Sequence, residues 1–204
     1  DYKTGSQAFD IVSLYHGLQL QLMVYMDAAV KMETQKHPGK EVIPSGVFYY
    51  RIQDPLVEKQ KKEEIEDALL KELKPDGMIN LSGDTLEHLD RKKNGESLAV
   101  PIKYNKNGSL AKSSKAVSEE EFQIMMHHAV RKIEKTKRQI LEGNTDVSPY
   151  RRGQETGCDY CKYKHVCGFD TKIQGYAYRE IGKMTQEKAI AAMKEETKAW
   201  EGEE

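Results

Sequence analysis

Apolar residues recur at helical spacing in several parts of the chain, separated by turn-forming residues. The first series follows a polar connection over Ser6–Ser13, in which Ser13 is the predicted N-cap. Its members lie about one turn apart and comprise Leu14, Leu18, Leu22, Tyr25, Ala29 and Met32. Pro38-Gly39 predicts the end of this helix.

Four further helices are predicted from spacing, caps and stops. A capping box, Ser118-Glu119-Glu120-Glu121, opens a long helix that ends near Glu142, before Gly143. The others are a charged helix from Pro55 to about Lys74, a short helix over Asp84–Lys93 and a last helix from about Thr185 to Trp200.

Three segments have the pattern of strands. Val47–Ile52 is β-branched and aromatic, Leu98–Tyr104 precedes an Asn-Lys-Asn-Gly turn at residues 105–108, and Asp1–Gly5 resembles a strand end. Strands that alternate with crossover helices predict an α/β domain with a mixed sheet flanked by helices.

Composition limits the possible functions. The 204 residues include 32 basic and 33 acidic side chains, so overall charge gives no argument for nucleic acid and any basic patch must be local. We find no apolar run long enough for a bilayer and no signal-peptide pattern. Three clustered cysteines in such a chain indicate a reducing, cytoplasmic setting and metal ligation rather than disulfides.

The first residues, Asp1-Tyr2-Lys3, contain a D-x-K pattern. Alternate residues of a strand face the same side, so a carboxylate that holds Mg²⁺ and an ammonium that stabilises negative charge would lie together. The pattern alone is common, and an exposed strand end explains it equally well. Since no Met precedes it, we expect the chain to be a fragment that starts at the edge of an active site and is inactive alone.

Gln21 and Tyr25 form a Gln-x-x-x-Tyr pattern in the helix after D-x-K. Residues four apart lie on one helical face. One interpretation is a buried amide beside a core tyrosine, and the other is an amide aimed at the D-x-K site, because a Gln in an apolar stripe needs a partner.

The cysteines, Cys158, Cys161 and Cys167, have the spacing C-x2-C-x5-C. Three thiolates are one short of a closed tetrahedral or cubane site. A fourth ligand from elsewhere would complete an iron–sulfur cluster, whereas His165 would give a Cys₃His zinc site. Both remain possible on spacing alone.

Basic and aromatic residues surround the cysteines. Phosphate contacts and base stacking are one interpretation of this set, and an ordinary solvated loop is the other. The set comprises Tyr150, Arg151, Arg152, Tyr160, Lys162, Tyr163 and Lys164.

Together, D-x-K, Gln21-x-x-x-Tyr25 and the cysteine cluster resemble the RecB-type branch of the PD-(D/E)XK nucleases, and more narrowly the AddB/RexB family. Further similar stretches are Tyr15–Gln21, Gly46–Tyr50, Ser118–Phe122 and Pro149–Arg152. The resemblance implies a PD-(D/E)XK core over residues 1–148 with a helical insert at about 53–96. It implies a cysteine-cluster loop and C-terminal helix over 149–204.

The resemblance also implies roles for single residues. Asp1 matches the metal-binding acidic residue, Lys3 the catalytic lysine, and Gln21 and Tyr25 the motif that positions the site and the DNA strand. Cys158, Cys161 and Cys167 match three of four ligands of a [4Fe–4S] cluster. The family's upstream cysteine, acidic ligand and histidine are absent from this chain.

The implied activity is Mg²⁺-dependent exonuclease cleavage of a single DNA strand emerging from a helicase, with an AddA-type helicase–nuclease partner, in double-strand-break repair and recombination. No membrane association is expected. Two alternatives remain: a Cas4-like iron–sulfur nuclease, which the long segment between Ile52 and Tyr104 disfavours, and a catalytically inactive DNA-binding or scaffold module.

Overall fold

The structure, a computed structural model, describes residues 7–52, 55–57, 62–91 and 94–201. Seven helices are found in these ranges: α1 Ile11–Tyr15, α2 Gln21–Lys36, α3 Lys62–Leu73, α4 Thr85–Leu89, α5 Glu119–Leu141, α6 Lys164–Cys167 and α7 Gln186–Glu201. Six strands are found in the same ranges: β1 Gly46–Tyr49, β2 Asp76–Asn80, β3 Ala116–Val117, β4 Tyr150–Arg152, β5 Glu155–Thr156 and β6 Arg179–Glu180.

The strands form two small mixed sheets. In the first, with the order β1-β2-β3, β2 is antiparallel to β1 and parallel to β3. In the second, with the order β5-β4-β6, β4 is antiparallel to β5 and parallel to β6. The predicted mixed α/β architecture is confirmed.

Both faces of the first sheet are covered. Along β2, Met78 packs into a core formed mainly by α1, α2, α5 and α7, while Ile79 packs on the opposite side with Val100 and Ile102. This division follows from the alternation of side chains along a strand. The helical core is the larger of the two, and Phe122 lies in it with no solvent exposure.

Several helix predictions are confirmed, with shifted ends. The capping box at Ser118 is present, because its hydroxyl accepts from the Glu121 amide and the Glu121 carboxylate accepts from the Ser118 amide. α2 ends at Lys36, before Pro38. The predicted charged helix begins later than Pro55, since residues 55–57 are not helical and α3 starts at Lys62.

The start of the first helix was predicted wrongly. Asp10, not Ser13, is the N-cap of α1, and its carboxylate accepts from the Val12 amide at 3.1 Å. Ser13 is buried inside α1, and the predicted single helix is two helices. Gly17 has a φ of 81°, in the left-handed region that glycine adopts without strain, and it lies where α1 has ended.

Two strand predictions also need correction. Leu98–Tyr104 forms no strand and contributes only isolated bridges at its end, Glu96 with Lys103 and Tyr104 with Leu110. Asp76-Gly77, predicted as part of a helix stop, begins β2. Residues 50–52 are not part of β1, and the predicted strand end at Asp1–Gly5 lies outside the described residues.

Residues 143–180, named here the cysteine-bearing extension, differ from the rest of the fold. None of these residues is buried. The extension contains the second sheet and α6, and Ile181, directly after β6, enters the helical core. Among the described helices, none has the length and apolar composition needed to cross a membrane.

Candidate active site and cysteine cluster

Asp1 and Lys3 lie outside the described residues, but the chain that follows them is tightly held. Gln19 binds the backbone of this segment twice. Its side-chain oxygen accepts from the Asp10 amide at 3.0 Å, and its side-chain nitrogen donates to the Ala8 carbonyl at 3.0 Å. The amide of one side chain therefore fixes the path of Ala8–Asp10 relative to the start of α2.

Phe9, in the middle of this segment, is anchored to the first sheet. Its amide donates to the Asp76 carboxylate at 2.7 Å, and the same carboxylate pairs with Lys115. The Phe9 ring is buried in the helical core. Backbone and side-chain contacts thus fix the chain shortly after the D-x-K residues.

Asp10 completes the anchoring of this segment. Its carboxylate accepts from the Ser13 hydroxyl at 2.7 Å and pairs with Arg152 of β4 at 2.5 Å. Burial raises the pKa of Asp10, but hydrogen bonds from Ser13, Arg152 and Val12 and the charge of Arg152 outweigh it and lower the pKa below the ordinary value. Asp10 is therefore a carboxylate at neutral pH.

Gln21 and Tyr25 meet as their spacing predicts. The Gln21 side-chain amide donates to the Tyr25 hydroxyl at 2.6 Å. Tyr25 is 51% exposed, which excludes the interpretation of a core tyrosine. The pair forms a polar, solvent-accessible face at the first turn of α2, the helix that Gln19 ties to Ala8–Asp10.

The three cysteines have free thiols. Cys161 is exposed, whereas Cys158 and Cys167 are half-buried. The Cys161 amide donates to the Cys158 carbonyl at 3.4 Å, and the Cys167 amide donates to the Tyr163 carbonyl at 2.9 Å, so the loop turns tightly around them. Their donor chemistry fits a thiolate-ligated metal or cluster.

Their arrangement is not that of a closed metal site. Within the described ranges, no three His, Cys, Asp or Glu side chains form a group able to hold a metal ion, and this includes the Cys₃His set with His165. The [4Fe–4S] and zinc interpretations therefore both remain predictions, and so does the role of each cysteine.

The basic and aromatic residues near the cysteines separate into two sets. Arg151 pairs with Glu180, Arg152 pairs with Asp10, and the Tyr150 hydroxyl donates to Glu155 at 3.1 Å. In contrast, Tyr160 is 98% exposed and Tyr163 is also exposed. Of this set, the two exposed tyrosines best fit base stacking, because the other three side chains have intramolecular partners.

A tyrosine absent from the sequence predictions contacts the cysteine loop. Desolvation, together with the charge of and a hydrogen bond to Cys158, raises the pKa of Tyr178. The Tyr178 ring also stacks under the Arg151 guanidinium, with 5.2 Å from the guanidinium carbon to the ring centroid, and contacts Phe169 edge-on. No local sequence pattern links Tyr178 with Cys158, since β6 brings them together only in the fold.

The sequence matches the family described as the PD-(D/E)XK nuclease superfamily over residues 1–168. The chain therefore belongs to the PD-(D/E)XK nuclease superfamily.

Similar full-length proteins are all described as the AddB-type subunit of an ATP-dependent helicase/deoxyribonuclease. The protein of Thermoanaerobacter sp. (strain X514) is 34% identical over 190 residues, which cover 92% of this chain and 16% of the relative. That of Alkaliphilus metalliredigens (strain QYMF) is 35% identical over 199 residues, covering 97% and 17%. That of Lachnoclostridium phytofermentans is 35% identical over 205 residues, covering 96% and 18%. The chain thus spans about a sixth of the length of these relatives.

Proposed function

We propose that this chain is the nuclease region of an AddB-type subunit of a helicase–deoxyribonuclease and that it hydrolyses phosphodiester bonds of a DNA strand with Mg²⁺. The supporting observation is the family match over residues 1–168, which includes the D-x-K and Gln-x-x-x-Tyr residues. The names of the similar proteins, each a subunit of a helicase/deoxyribonuclease, support the same proposal.

In this proposal Asp1 is a metal ligand and Lys3 stabilises the negative charge that develops on the phosphate. Gln21 and Tyr25 orient the strand from the exposed first turn of α2. A bound Mg²⁺ supplies an activated water and neutralises phosphate charge. The anchored segment Ala8–Asp10 keeps the D-x-K residues and the Gln21–Tyr25 pair on one rigid unit, as precise positioning requires.

The proposed substrate is a single strand delivered by an AddA-type helicase–nuclease partner during double-strand-break repair and recombination. Tyr160 and Tyr163 offer flat, exposed rings to such a strand. Stacking of this kind is independent of sequence, which suits an enzyme that degrades whatever the helicase unwinds.

Lys3→Ala and Asp1→Ala in the full-length protein test the nuclease proposal. Each should lower cleavage of labelled single-stranded DNA by about 10²–10³-fold, because one preorganised charge at a reacting phosphate contributes about that much. The partner's own nuclease site is disabled in these assays. Lys40→Ala, at an exposed residue of the loop after α2, is the matched control and should cleave at the parental rate.

Parental cleavage by Lys3→Ala would contradict the assigned role. If neither the parental protein nor any variant cleaves DNA, the domain is the inactive DNA-binding or scaffold module instead. Unwinding driven by ATP serves as the folding control for every variant.

We further propose that Cys158, Cys161 and Cys167 hold a [4Fe–4S] cluster with a fourth cysteine that lies before the D-x-K element. The support is physical as well as familial. None of residues 143–180 is buried, and a segment without a hydrophobic core usually needs a covalent or metal cross-link to keep a fixed shape.

Metal analysis of the anaerobically purified full-length protein tests this cluster. About four irons per chain are expected, the count of a [4Fe–4S] centre. Cys161→Ser should lower the iron content towards zero, while Ser113→Ala, at a surface turn far from the cysteines in sequence, should leave it unchanged. Stoichiometric zinc without iron would identify the Cys₃His alternative with His165.

A further inference from the structure

Two adjacent arginines of β4 bind partners in different parts of the molecule. Arg151 pairs with Glu180 of the neighbouring strand and lies over the Tyr178 ring, so its contacts remain within the cysteine-bearing extension. Arg152 pairs with Asp10 at 2.5 Å, and the same nitrogen donates to the Ser13 hydroxyl at 3.0 Å. The second arginine therefore connects the extension to α1.

The Arg152 contact reaches the anchored segment at its most constrained residue. Asp10 caps α1 with its carboxylate, and its backbone amide is held by Gln19. The preceding residue, Phe9, is held by Asp76. Arg152 thus binds at the junction between α1 and the chain that leads to Lys3 and Asp1.

The geometry of this contact favours a fixed orientation. Arg152 bridges two oxygens that are themselves hydrogen-bonded, those of Asp10 and Ser13. The Asp10 side chain is 27% exposed and the Arg152 side chain 44%, so solvent screens the pair only partly. A charge-assisted hydrogen bond with a shared acceptor network restrains direction as well as distance.

A second contact supports the same docking. The Arg179 guanidinium of β6 donates to the His16 carbonyl, just after α1, at 3.3 Å. Since β4 and β6 are neighbouring strands, both arginines attach one small sheet to one short helix. With no buried residue of its own, the extension depends on such polar contacts for its placement.

We propose that Arg152 is a positioning residue for the nuclease site, which acts by transmitting the placement of the cysteine-bearing extension to Ala8–Asp10 and so to Asp1 and Lys3. This inference rests on the proposed nuclease function. Its consequence is that a disturbed extension slows cleavage even when DNA still binds. The rival role for Arg152 is direct phosphate binding, which would instead weaken DNA affinity.

A double-mutant cycle in the full-length protein, with its partner's nuclease site disabled, separates these roles. The variants are Arg152→Gln, Asp10→Asn and the double variant. Asn remains a good N-cap, so Asp10→Asn removes the charge and keeps the helix start. Each single variant should lower kcat about tenfold with KM for single-stranded DNA unchanged, as expected when reacting groups are slightly misplaced.

Two features of the cycle identify positioning. The double variant should be no slower than the single variants, because both remove one contact. Arg152→Lys should recover part of the lost kcat, since it restores the charge without the fork of donors. Glu180→Gln, which breaks the ion pair of Arg151 in the same sheet, is the matched control and should change kcat less than about twofold.

Several outcomes would overturn the inference. A raised KM with unchanged kcat for Arg152→Gln would assign it to phosphate binding. Losses that multiply in the double variant, or an unchanged kcat in both single variants, would show that the Arg152–Asp10 contact does not affect the site.

Hydrogen exchange distinguishes failure of this inference from failure of the nuclease proposal. In Arg152→Gln the Phe9 and Asp10 amides should exchange about tenfold faster, whether or not the protein cleaves DNA. Faster exchange in a protein without any nuclease activity would refute the proposed function while preserving the coupling. Unchanged exchange would refute the coupling itself.

Discussion

The helical core and the cysteine-bearing extension are stabilised by different interactions. In the core, side chains such as Phe122, Met125 and Met193 are fully buried where α5 packs against α7 and neighbouring elements. In the extension none of residues 143–180 is buried, and its described contacts are ion pairs, ring contacts and short strand ladders. The core is therefore expected to fold by apolar burial, whereas the extension relies on polar contacts and on its proposed cluster.

Phe122→Ala tests the core side of this contrast and should have the largest effect on stability. The ring has no solvent exposure, so its loss leaves a cavity and should lower the free energy of unfolding by about 3–5 kcal/mol. Ile140→Ala on the same helix, where the side chain is 70% exposed, should change it by less than about 0.5 kcal/mol. Denaturant unfolding measures both. Equal effects would mean that burial along α5 does not control stability.

Cys161→Ser tests the extension and should have a local effect. Without its proposed cluster, the extension should be cleaved by a protease about tenfold to a hundredfold faster, equivalent to roughly 1.4–2.7 kcal/mol of local stability. The unfolding midpoint of the core should not move. A global loss of stability comparable with that of Phe122→Ala would show that the two regions fold as one unit.

Acid titration near neutral pH should affect the core more than the extension. Burial lowers the pKa of His128, which stacks between Tyr15 and Trp200 and is hydrogen-bonded to the Tyr15 carbonyl at 3.1 Å. The charge of Lys132 lowers it further, and the smaller opposing effect of Glu196, 4.0 Å away, does not reverse it. The imidazole is therefore neutral in the folded core.

The sign of the effect follows from this lowered pKa. The unfolded chain binds a proton below about pH 6.5 and the folded chain does not, so stability is complete above 6.5. It should fall by roughly 1–2 kcal/mol as pH drops from 6.5 towards 5, where the slope cannot exceed about 1.36 kcal/mol per pH unit for one proton. His128→Gln, which keeps a donor for the Tyr15 carbonyl, should flatten this profile.

His16 gives a smaller contribution in the same direction, because burial and the charges of Arg179 and Lys132 lower its pKa. The His128→Gln variant should therefore keep a residual slope. An unchanged profile in His128→Gln would show that the buried imidazole does not cause the pH dependence.

Helices of the core could be predicted because their signals are local. The capping box at Ser118, the stop at Gly143 and the periodic apolar residues of α5 all occur within one segment. The position of Asp10 as N-cap also had a local signal, an aspartate directly before Ile11-Val12. It was missed because Ser13 is equally acceptable as a cap, and burial in the fold decided between them.

The strand β2 was missed for a physical reason that lies outside its own sequence. Asp76-Gly77 has the composition of a turn, but a Cβ at Gly77 would lie 1.9 Å from the Val47 carbonyl oxygen. The glycine therefore permits close approach of β1 and β2 rather than a turn. Leu98–Tyr104 was overpredicted because Pro101 lacks an amide donor for a ladder, and its apolar residues pack on the sheet as an irregular segment.

The candidate site was predictable only in its local parts. The Gln21–Tyr25 contact follows from helical spacing, and the cysteines from their type and number. The Arg152–Asp10 pair joins residues far apart in sequence, so no spacing rule contains it. The structure thus reassigns Arg152, which the sequence grouped with phosphate-binding residues.

Glu180→Gln gives the smallest expected effect and sharpens the comparison at the surface. Its pair with Arg151 lies between half-exposed side chains within the extension. Exposed ion pairs contribute about 0–1 kcal/mol and are screened by salt, so the local stability of the extension should fall by no more than that, and less at about 1 M salt. Protease cleavage of residues 143–180 measures the change, with Lys31→Gln on α2 as a control that leaves this region unaffected. A loss as large as that of Cys161→Ser would mean that polar contacts alone hold the extension, and it would remove the physical argument for a metal cross-link there.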